Sequence, residues 1–442
     1  MCSNKMRKRY SERSHVLQEM KNILCVSKLT GLFPISFNKD CLTADESVDI
    51  TISANITGIV CSIAMCCLIV GGFLTALIQP YDAISDPGDF VIKILYIPAM
   101  FAMALSSIIL NATINRQKLS KLITKLMWIN EEILNHSGCG NENIVKRFSC
   151  LMSMALFVIF LFLCYTVSFW GKSAPLLYCV SANVAKFLGV VVVMQFCKFV
   201  NCIKFSLEEI VKIISEYVAE DYIGNHRMCD ENNIKLTRIE VSRNLIAPQM
   251  NMNNSIEPLP GKISLPYFIN LFPCKHTELR NIIFCRKIFS EVYDSVLLVN
   301  SIYGIPILLE YISDCSALIS TIYLVIMNVH KYTENLNDAN DEAIIISCVG
   351  GNIIMFSTIL YVSLTCHLTT LECRKICNII EKRLLVHPIN KDLLQELQLF
   401  SNQMSNNRIK FTAFLFFVVD MKFFGTFMAS ALTYLIVLIQ FN

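Results

Sequence analysis

Small and hydroxyl-bearing side chains recur along one face of an uncharged segment at the end of the chain. The segment runs from Phe423 to Phe441 and contains no charged residue. A helix of this length rises about 28 Å, which is enough to cross the hydrocarbon core of a bilayer. Such a face either packs against a neighbouring helix or borders water and ions. Steps of three and four residues place the following side chains on it: Thr426, Ser430, Thr433, Val437 and Gln440.

Three charged side chains lie inside other apolar segments, where an unpaired charge costs on the order of a few kcal/mol or more. They are Lys186, Glu310 and Asp314. The two acids are four residues apart, so they share one face of a helix. Two interpretations stay open: Lys186 pairs with one acid as a structural contact, or the three side chains face a water-filled ligand cavity. Hydroxyl-bearing aromatic residues that could contact such a ligand are Tyr178, Tyr303 and Tyr311.

Catalytic and metal-binding patterns are not evident. The seven histidines are dispersed, and the sequence has no G-x-S-x-G, phosphate-loop or H-E-x-x-H motif. The twenty cysteines are scattered, and Cys373 and Cys377 have no second pair at zinc-site spacing. We therefore expect no enzymatic activity, no cofactor and no metal site.

The composition is typical of a protein that crosses a membrane several times. Hydrophobic residues make up 54% of the chain and charged residues 17%, and the mean hydropathy is +0.52. Ordinary soluble domains carry about 25% charged residues. The net charge of +3 is small, and basic residues form no stripe with interleaved aromatics, so nucleic acid is not an expected partner.

Seven apolar runs have the length of a membrane span, which predicts an all-α membrane protein with seven transmembrane helices. The fourth and sixth runs continue with apolar residues at helical spacing, so we expect long cytoplasmic helical extensions. Prolines and asparagines then break the pattern, which predicts a mobile cytoplasmic insertion at about 225–275. The seven runs lie at about 52–78, 90–112, 148–170, 176–199, 295–329, 344–367 and 421–441.

Basic residues set the expected orientation, because cytoplasmic loops carry an excess of Lys and Arg. The first thirty residues contain seven Lys/Arg, residues 115–147 contain six and residues 368–410 contain seven, whereas residues 79–89 contain none. The N-terminus is therefore expected in the cytoplasm and the C-terminus outside. This orientation is the reverse of a G-protein-coupled receptor, so no G-protein partner is expected.

A terminal motif resembles that of a known family. Thr433-Tyr434, five apolar residues and then Gln440-Phe441 match the closing signature of insect gustatory receptors. Further resemblances lie at residues 396–403, which precede the last helix, and at Phe411-Thr412-Ala413-Phe414. Gly31-Leu32-Phe33-Pro34 resembles the family's motif before the first span. The chain is thus identified as a member of the insect gustatory receptor family, which is related to the insect odorant receptors.

The resemblance implies a channel of four subunits in which the last helix of each lines one cation path. Carried over to this sequence, it makes Thr426, Ser430, Thr433 and Val437 pore-lining and Gln440 and Phe441 the gate. It implies a tastant site among spans two to six, with these candidate ligand-binding residues: Lys186, Glu310, Asp314, Tyr303, Tyr311 and Tyr178. The expected partners are a small-molecule tastant, membrane lipid and the other subunits of a homo- or hetero-tetramer. The expected location is the plasma membrane of sensory neurons.

These observations give a division of the chain into four parts. They are a cytoplasmic N-terminal segment (1–49), a ligand-binding bundle of helices one to six (50–367), a cytoplasmic anchor region (368–420) and a pore-lining seventh helix (421–442).

The predicted function is a ligand-gated, nonselective cation channel that detects tastants. The main sugar-receptor branch has Glu directly after Thr-Tyr, and Leu435 stands there in this chain. Bitter or other plant compounds are therefore favoured, with a fructose-type sugar receptor as one alternative. The alternative from another class is a secondary transporter that uses Lys186, Glu310 and Asp314 as coupling sites. Against it, seven spans do not divide into two equal repeats.

Overall fold

The structure is a computed structural model, and it is almost entirely helical over the residues that it describes. This architecture confirms the predicted all-α membrane fold. The described residues are 25–28, 30–32, 35–37, 52–54, 56–78, 96–137, 142–170, 175–244, 273–334, 339–385 and 390–440.

The helices and strands are numbered in chain order. The helices are α1 (Ile56–Ile78), α2 (Ile97–Ala112), α3 (Asn115–Ser137), α4 (Glu142–Trp170), α5 (Leu176–Asn244), α6 (Pro273–Glu334), α7 (Ala339–Leu385), α8 (Lys391–Asn406) and α9 (Met421–Gln440). The strands form two antiparallel pairs, β1 (Ile35–Phe37) with β2 (Ile52–Ala54) and β3 (Thr412–Ala413) with β4 (Phe417–Val418).

An apolar helix lies at each of the seven positions that the sequence predicted for a span. Within the described residues, four segments are long and apolar enough to cross a membrane: Ile56–Ile78, Leu176–Ser215, Glu278–Tyr323 and Ile345–Leu385. Helices α2 and α3 meet the same condition together but are bent by 72° at the break between them. Two shorter apolar helices complete the set, Met154–Trp170 and Met421–Val437.

Helix α3 is amphipathic and is bent by 72° from α2. The N–H and the hydroxyl of Thr113 both bond to the carbonyl of Ile109, at 3.0 Å and 2.6 Å, which ends α2. Lys125 on the polar face of α3 donates to Asp294 of α6 at 2.7 Å. Part of the basic segment 115–147 is therefore a helix held on α6. The apolar face of α3 buries Leu119, Leu122, Ile123, Leu126, Ile129 and Ile133.

Helix α6 continues through Pro306. A proline has no N–H, so the carbonyl of Ile302, four residues earlier, loses its partner in the helix. The side-chain amide of Asn115, the first residue of α3, donates to that carbonyl at 3.1 Å. A residue from another helix thus replaces the hydrogen bond that proline removes, and the junction of α2 and α3 is fastened to α6.

Helices α5, α6 and α7 are longer than a membrane span, with 69, 62 and 47 residues. The predicted helical extensions beyond the fourth and sixth spans are present. Helix α5 reaches Asn244, so residues 225–244 of the predicted insertion are helical. The helix continues because the first proline of this region is Pro248. Residues 245–272 lie outside the described residues, and their predicted mobility stays a prediction.

The glycine of the N-terminal Gly-Leu-Phe-Pro motif is required by its packing. Gly31 has φ +74°, and a Cβ at this position would lie 2.7 Å from Cα of Ser62 in α1. The Ser62 hydroxyl donates to the Gly31 carbonyl at 2.6 Å, and Leu32 is fully buried. Only glycine combines this left-handed conformation with such a close approach.

The chain divides into two compact units. The first combines residues 1–207, 290–373 and 408–442, and the second combines 208–289 and 374–407. In the second unit, α8 is amphipathic and buries Leu393, Leu397, Phe400 and Met404. Two ion pairs also stabilise this unit: Arg383 with Glu278 at 3.0 Å and Arg286 with Glu396 at 3.1 Å. The role of residues 368–420 as an anchor between subunits stays a prediction.

Candidate pore helix and intramembrane charge site

Helix α9 begins at a side-chain cap. Oδ1 of Asp420 accepts a hydrogen bond from the Phe423 N–H at 2.8 Å, and the Asp420 carbonyl accepts one from the Phe424 N–H at 3.1 Å. An N-terminal carboxylate both satisfies a free amide and complements the helix dipole. Residues 421–440 therefore enter the membrane segment as a regular helix from its first turn.

The hydroxyl stripe of α9 is exposed. Thr426, Ser430, Thr433, Val437 and Gln440 all lie on the open surface of this single subunit. The hydroxyls of Thr426, Ser430 and Thr433 donate to carbonyls of their own helix, at 3.1, 3.0 and 2.9 Å. The stripe is therefore not packed against another helix of the same subunit within the described residues. Phe441, the second gate candidate, lies outside them.

A different side of α9 packs against α6. Ala431 and Leu435 are buried against Ile319 and Tyr323 of α6. Leu435 is 8% exposed, whereas Leu432 is 59% exposed although it also lies off the stripe. Within one subunit, Ala431 and Leu435 are the positions of α9 that are buried among those whose exposure is described.

A short hairpin joins the anchor segment to α9 and is fastened to α6 by one side chain. Asn300 of α6 donates from Nδ2 to the Lys410 carbonyl at 2.8 Å and accepts at Oδ1 from the Thr412 N–H at 3.1 Å. The hairpin also lies directly on Gly304, where a Cβ would be 3.0 Å from the Phe414 nitrogen. The Gly304-Ile305-Pro306 sequence thus provides the space in which the hairpin contacts α6.

Aromatic rings connect α6 to the start of α9. The ring of Tyr311 in α6 makes edge contacts with Phe417, Phe423 and Phe427, at centroid distances of 5.6, 5.3 and 6.1 Å. Phe417 of the hairpin stacks on Phe423 at 3.9 Å with the planes 4° apart. The Tyr311 hydroxyl bonds to Ser363 of α7 at 2.9 Å. Tyr311, which lies on α6, therefore contacts α7, the hairpin and α9 at once.

The charged side chains meet beside this aromatic cluster, since Glu310 directly precedes Tyr311 on α6. Glu310 and Asp314 of α6 are 8% and 5% exposed, and Lys186 of α5 interacts electrostatically with both. Gly189 lets the Glu310 carboxylate lie close to the backbone of α5, since a Cβ at this position would be 2.5 Å from a Glu310 carboxylate oxygen. Among the described residues, the Lys186 ammonium has no hydrogen bond to either carboxylate. It lies 5.7 Å from the ring centroid of Tyr96.

Comparison with known proteins identifies the family. The family model for 7tm chemosensory receptors matches residues 21–442, nearly the whole chain. The chain belongs to the 7tm chemosensory receptor family. This family consists of receptors, in agreement with the expectation that the chain is not an enzyme. A search of curated proteins found no match to this receptor.

Solved structures of an insect olfactory receptor share the receptor's fold. The olfactory receptor OR5 from Machilis hrabei is 12% identical, with a TM-score of 0.61, and the match covers 98% of this chain and 100% of that chain. The structure of the same receptor in complex with eugenol is 11% identical, with a TM-score of 0.57 and the same coverage. At this identity the likeness concerns the fold alone.

The receptor brings some of the sequence-predicted ligand residues together and separates others. Lys186, Glu310 and Asp314 form one cluster, and Tyr178, two turns before Lys186 on α5, lies near Tyr96 at the edge of this cluster. Tyr311 instead belongs to the aromatic cluster at the base of α9.

Tyr303 is a core residue of the receptor. It is buried between Phe196 and Phe199, each 5.9 Å away between ring centroids, and its hydroxyl donates to Gln195 at 3.4 Å. Neither contact involves the charged cluster.

Sequence reasoning missed three residues of the two clusters. Tyr96 stands directly before the Ile97-Pro98 start of α2, where a tyrosine is typical of an interfacial anchor. Phe417 and Phe423 lie in a phenylalanine-rich stretch, in which composition alone does not distinguish one ring from another. Their shared contact with Tyr311, more than one hundred residues earlier, has no local signal in the sequence.

Proposed function

We propose that this receptor is a gustatory receptor subunit that assembles as a tetrameric, ligand-gated, nonselective cation channel opened by small-molecule tastants. The observation that carries the proposal is the exposed hydroxyl stripe of α9. It lies on a membrane helix whose other side packs on the bundle. Hydroxyl groups that face hydrocarbon make no favourable polar interaction with it. The same groups around the central axis of a channel border water and ions.

The chemistry of the stripe supports a permeation path for cations. Thr426, Ser430 and Thr433 offer hydroxyl oxygens that are already bonded to their own helix, so they need no further partner when the path is open. The helix carries no charge from Phe423 to Gln440, which favours weak selectivity among cations. Gln440 is the outermost described residue of the stripe, and with Phe441 it forms the proposed gate.

Ligand binding is proposed at the charged cluster of Lys186, Glu310 and Asp314, with Tyr178 nearby. The solved complex of the Machilis hrabei receptor with eugenol supports a small organic molecule as the class of ligand. Leu435 packs on α6 where the sugar branch has Glu, which favours bitter or other plant compounds. Tyr311, which follows Glu310 on α6, transmits the conformational change on ligand binding to α9 through its ring contacts.

A cysteine-accessibility experiment tests the pore. Single cysteines replace Thr426, Ser430, Thr433 and Val437 in the full chain, after removal of the native cysteines that are exposed in the described part of the chain: Cys25, Cys67 and Cys164. A water-soluble thiol reagent is then applied while current is recorded with and without an active compound from a tastant panel. We expect all four positions to react faster in the presence of the compound.

Leu435→Cys is the matched control, because this position is buried against α6 in the same helix. It is expected to react slowly under both conditions. Equal rates at the control and at Thr433→Cys would refute the pore assignment and return the stripe to a packing role between subunits.

Two further measurements address assembly and orientation. Expression of this chain alone, followed by recording with the same tastant panel, separates a homomeric channel from one that needs other subunits. Epitope tags before Met1 and after Asn442 test the plasma-membrane orientation in intact cells. We expect antibody to reach only the C-terminal tag; labelling of the N-terminal tag without permeabilisation would reverse the proposed topology.

A further inference from the structure

We infer that Glu310 and Asp314 bind a positively charged organic group of the ligand, such as a protonated amine. The inference rests on the proposed function in one respect, namely that the bundle binds a small molecule at this cluster. It adds the chemical class of that molecule and the atoms that recognise it.

Charge balance is the first argument. Two carboxyl groups and one ammonium group occupy the same buried region, since Lys186 is the cation that acts on both acids. If both acids are ionised, one ammonium group leaves one negative charge uncompensated, and without a second cation that acid keeps its proton. Inside a membrane protein an uncompensated carboxylate is costly, and it is normally paired or faces a cavity. A ligand cation supplies the missing charge, whereas a neutral or anionic ligand does not.

An unpartnered oxygen is the second and independent argument. Oδ2 of Asp314 is buried and has no hydrogen-bond partner among the described residues, and the whole residue is 5% exposed. Buried carboxylate oxygens are normally bonded, so this atom is free to accept a proton donor from a ligand. An alkylammonium group donates directly and forms the strong, charge-assisted kind of hydrogen bond.

The neighbouring ring favours the same class of ligand. Tyr96 already holds the Lys186 ammonium at 5.7 Å from its centroid, which is within the range of a cation–π contact. Tyr96 also lies near both Asp314 and Glu310. The surroundings of the two carboxylates thus combine negative charge with an aromatic face, which are the groups that recognise organic ammonium ions.

A bound metal ion fits less well than an organic cation. No group of three or more potential ligating side chains of His, Cys, Asp or Glu occurs within the described part of the chain. Two carboxylates leave most coordination positions of a hard divalent cation unfilled by protein. An ammonium group needs only a few acceptors, which two carboxylates can supply.

The test measures binding without current. The purified full chain is heated in detergent with matched aromatic compounds that differ in charge: phenethylamine, phenethyl alcohol and phenylacetate, and likewise tryptamine, tryptophol and indoleacetate. Ligand binding to the folded state raises the unfolding temperature. We expect the amine of at least one series to raise the unfolding temperature. Its alcohol and its acid should need at least tenfold higher concentrations for half of the maximal rise.

Three variants locate the effect. Asp314→Asn should lower the affinity for the amine at least tenfold and leave the affinity for the alcohol unchanged, because only the charge is removed. Lys186→Met should raise the affinity for the amine, since it removes the internal cation that competes for the carboxylates. Asp294→Asn is the matched control on the same helix; its carboxylate pairs with Lys125 and lies away from the cluster, so the affinity for the amine should be unchanged.

Amine-selective stabilisation that Asp314→Asn abolishes and Asp294→Asn preserves would support the inference. Equal stabilisation by amine and alcohol, no amine-selective effect in either series, or an unchanged amine affinity in Asp314→Asn would overturn it. Amine-selective binding without any evoked current would contradict the channel proposal and leave the site intact. Currents evoked only by neutral compounds would support the channel proposal and overturn the inference about the amine site.

Discussion

The contact between Asn115 and the Ile302 carbonyl yields the most quantitative prediction. Pro306 leaves this carbonyl without its helical partner, and the Asn115 amide replaces it at 3.1 Å. Asn115 is 3% exposed, so water does not substitute when the amide is removed. A buried acceptor left without a partner costs about 1–3 kcal/mol. We therefore expect Asn115→Ala to destabilise the receptor by about 2 kcal/mol.

The same reasoning predicts a rescue. Pro306→Ala supplies the missing N–H to the Ile302 carbonyl, so Asn115→Ala should cost about 1–2 kcal/mol less in that background than in the native one. Asn111→Ala is the control, because Asn111 contacts Asn115 at 3.4 Å but not the carbonyl. Its cost should be the same in both backgrounds.

The assay is thermal or denaturant unfolding of the purified full chain, followed by tryptophan fluorescence. The protein has two tryptophans, and Trp128 lies in α3, the helix that Asn115 begins. An equal loss of stability for Asn115→Ala with and without Pro306→Ala would refute the reasoning. It would mean that Asn115 acts through its other contacts rather than through the carbonyl that proline exposes.

Three further predictions concern gating and the charge site. Tyr311→Leu should reduce the current evoked by an active tastant about thirtyfold at subsaturating concentration, because three ring contacts worth about 2 kcal/mol in total are lost; Tyr311→Phe keeps the rings and should lose far less, and equal losses would show that the hydroxyl, not the ring, matters. Phe441→Ala should raise the current without ligand, since a ring of apolar side chains closes a pore by excluding water; an unchanged resting current would place the gate elsewhere. Gly189→Ala should displace the Glu310 carboxylate, which its Cβ would approach to 2.5 Å, and lower stability by about 1–3 kcal/mol; Gly351→Ala, at a position with open space, is the control, and equal melting temperatures would contradict the close approach.

Local periodicity explains what the sequence predicted well. Apolar length predicted where the apolar helices lie, and the spacing from Thr426 to Gln440 placed their side chains on one exposed face of α9. Helical spacing likewise predicted that Glu310 and Asp314 would lie together. These properties depend on residues within a few turns of one another, which is the range over which a helix repeats.

Contacts between distant segments were beyond that range. Tyr303 and Tyr311 have the same residue type and similar surroundings in sequence, yet one lies in a core cluster and the other at the base of α9. The exposure of Leu432 beside the buried Leu435 depends on where α6 crosses α9. The partner of the Ile302 carbonyl lies 187 residues earlier in the chain. Each depends on tertiary packing rather than on pattern.

Glu310 and Tyr311 are successive residues of α6, and successive residues of a helix point about 100° apart. One faces the charged cluster and the other the rings at the base of α9. In the proposed channel, chemical preference and signal transfer thus belong to separate sides of a single helical turn. Substitutions on the first side would then change which compounds the proposed channel detects, whereas substitutions on the second side would change how readily it opens.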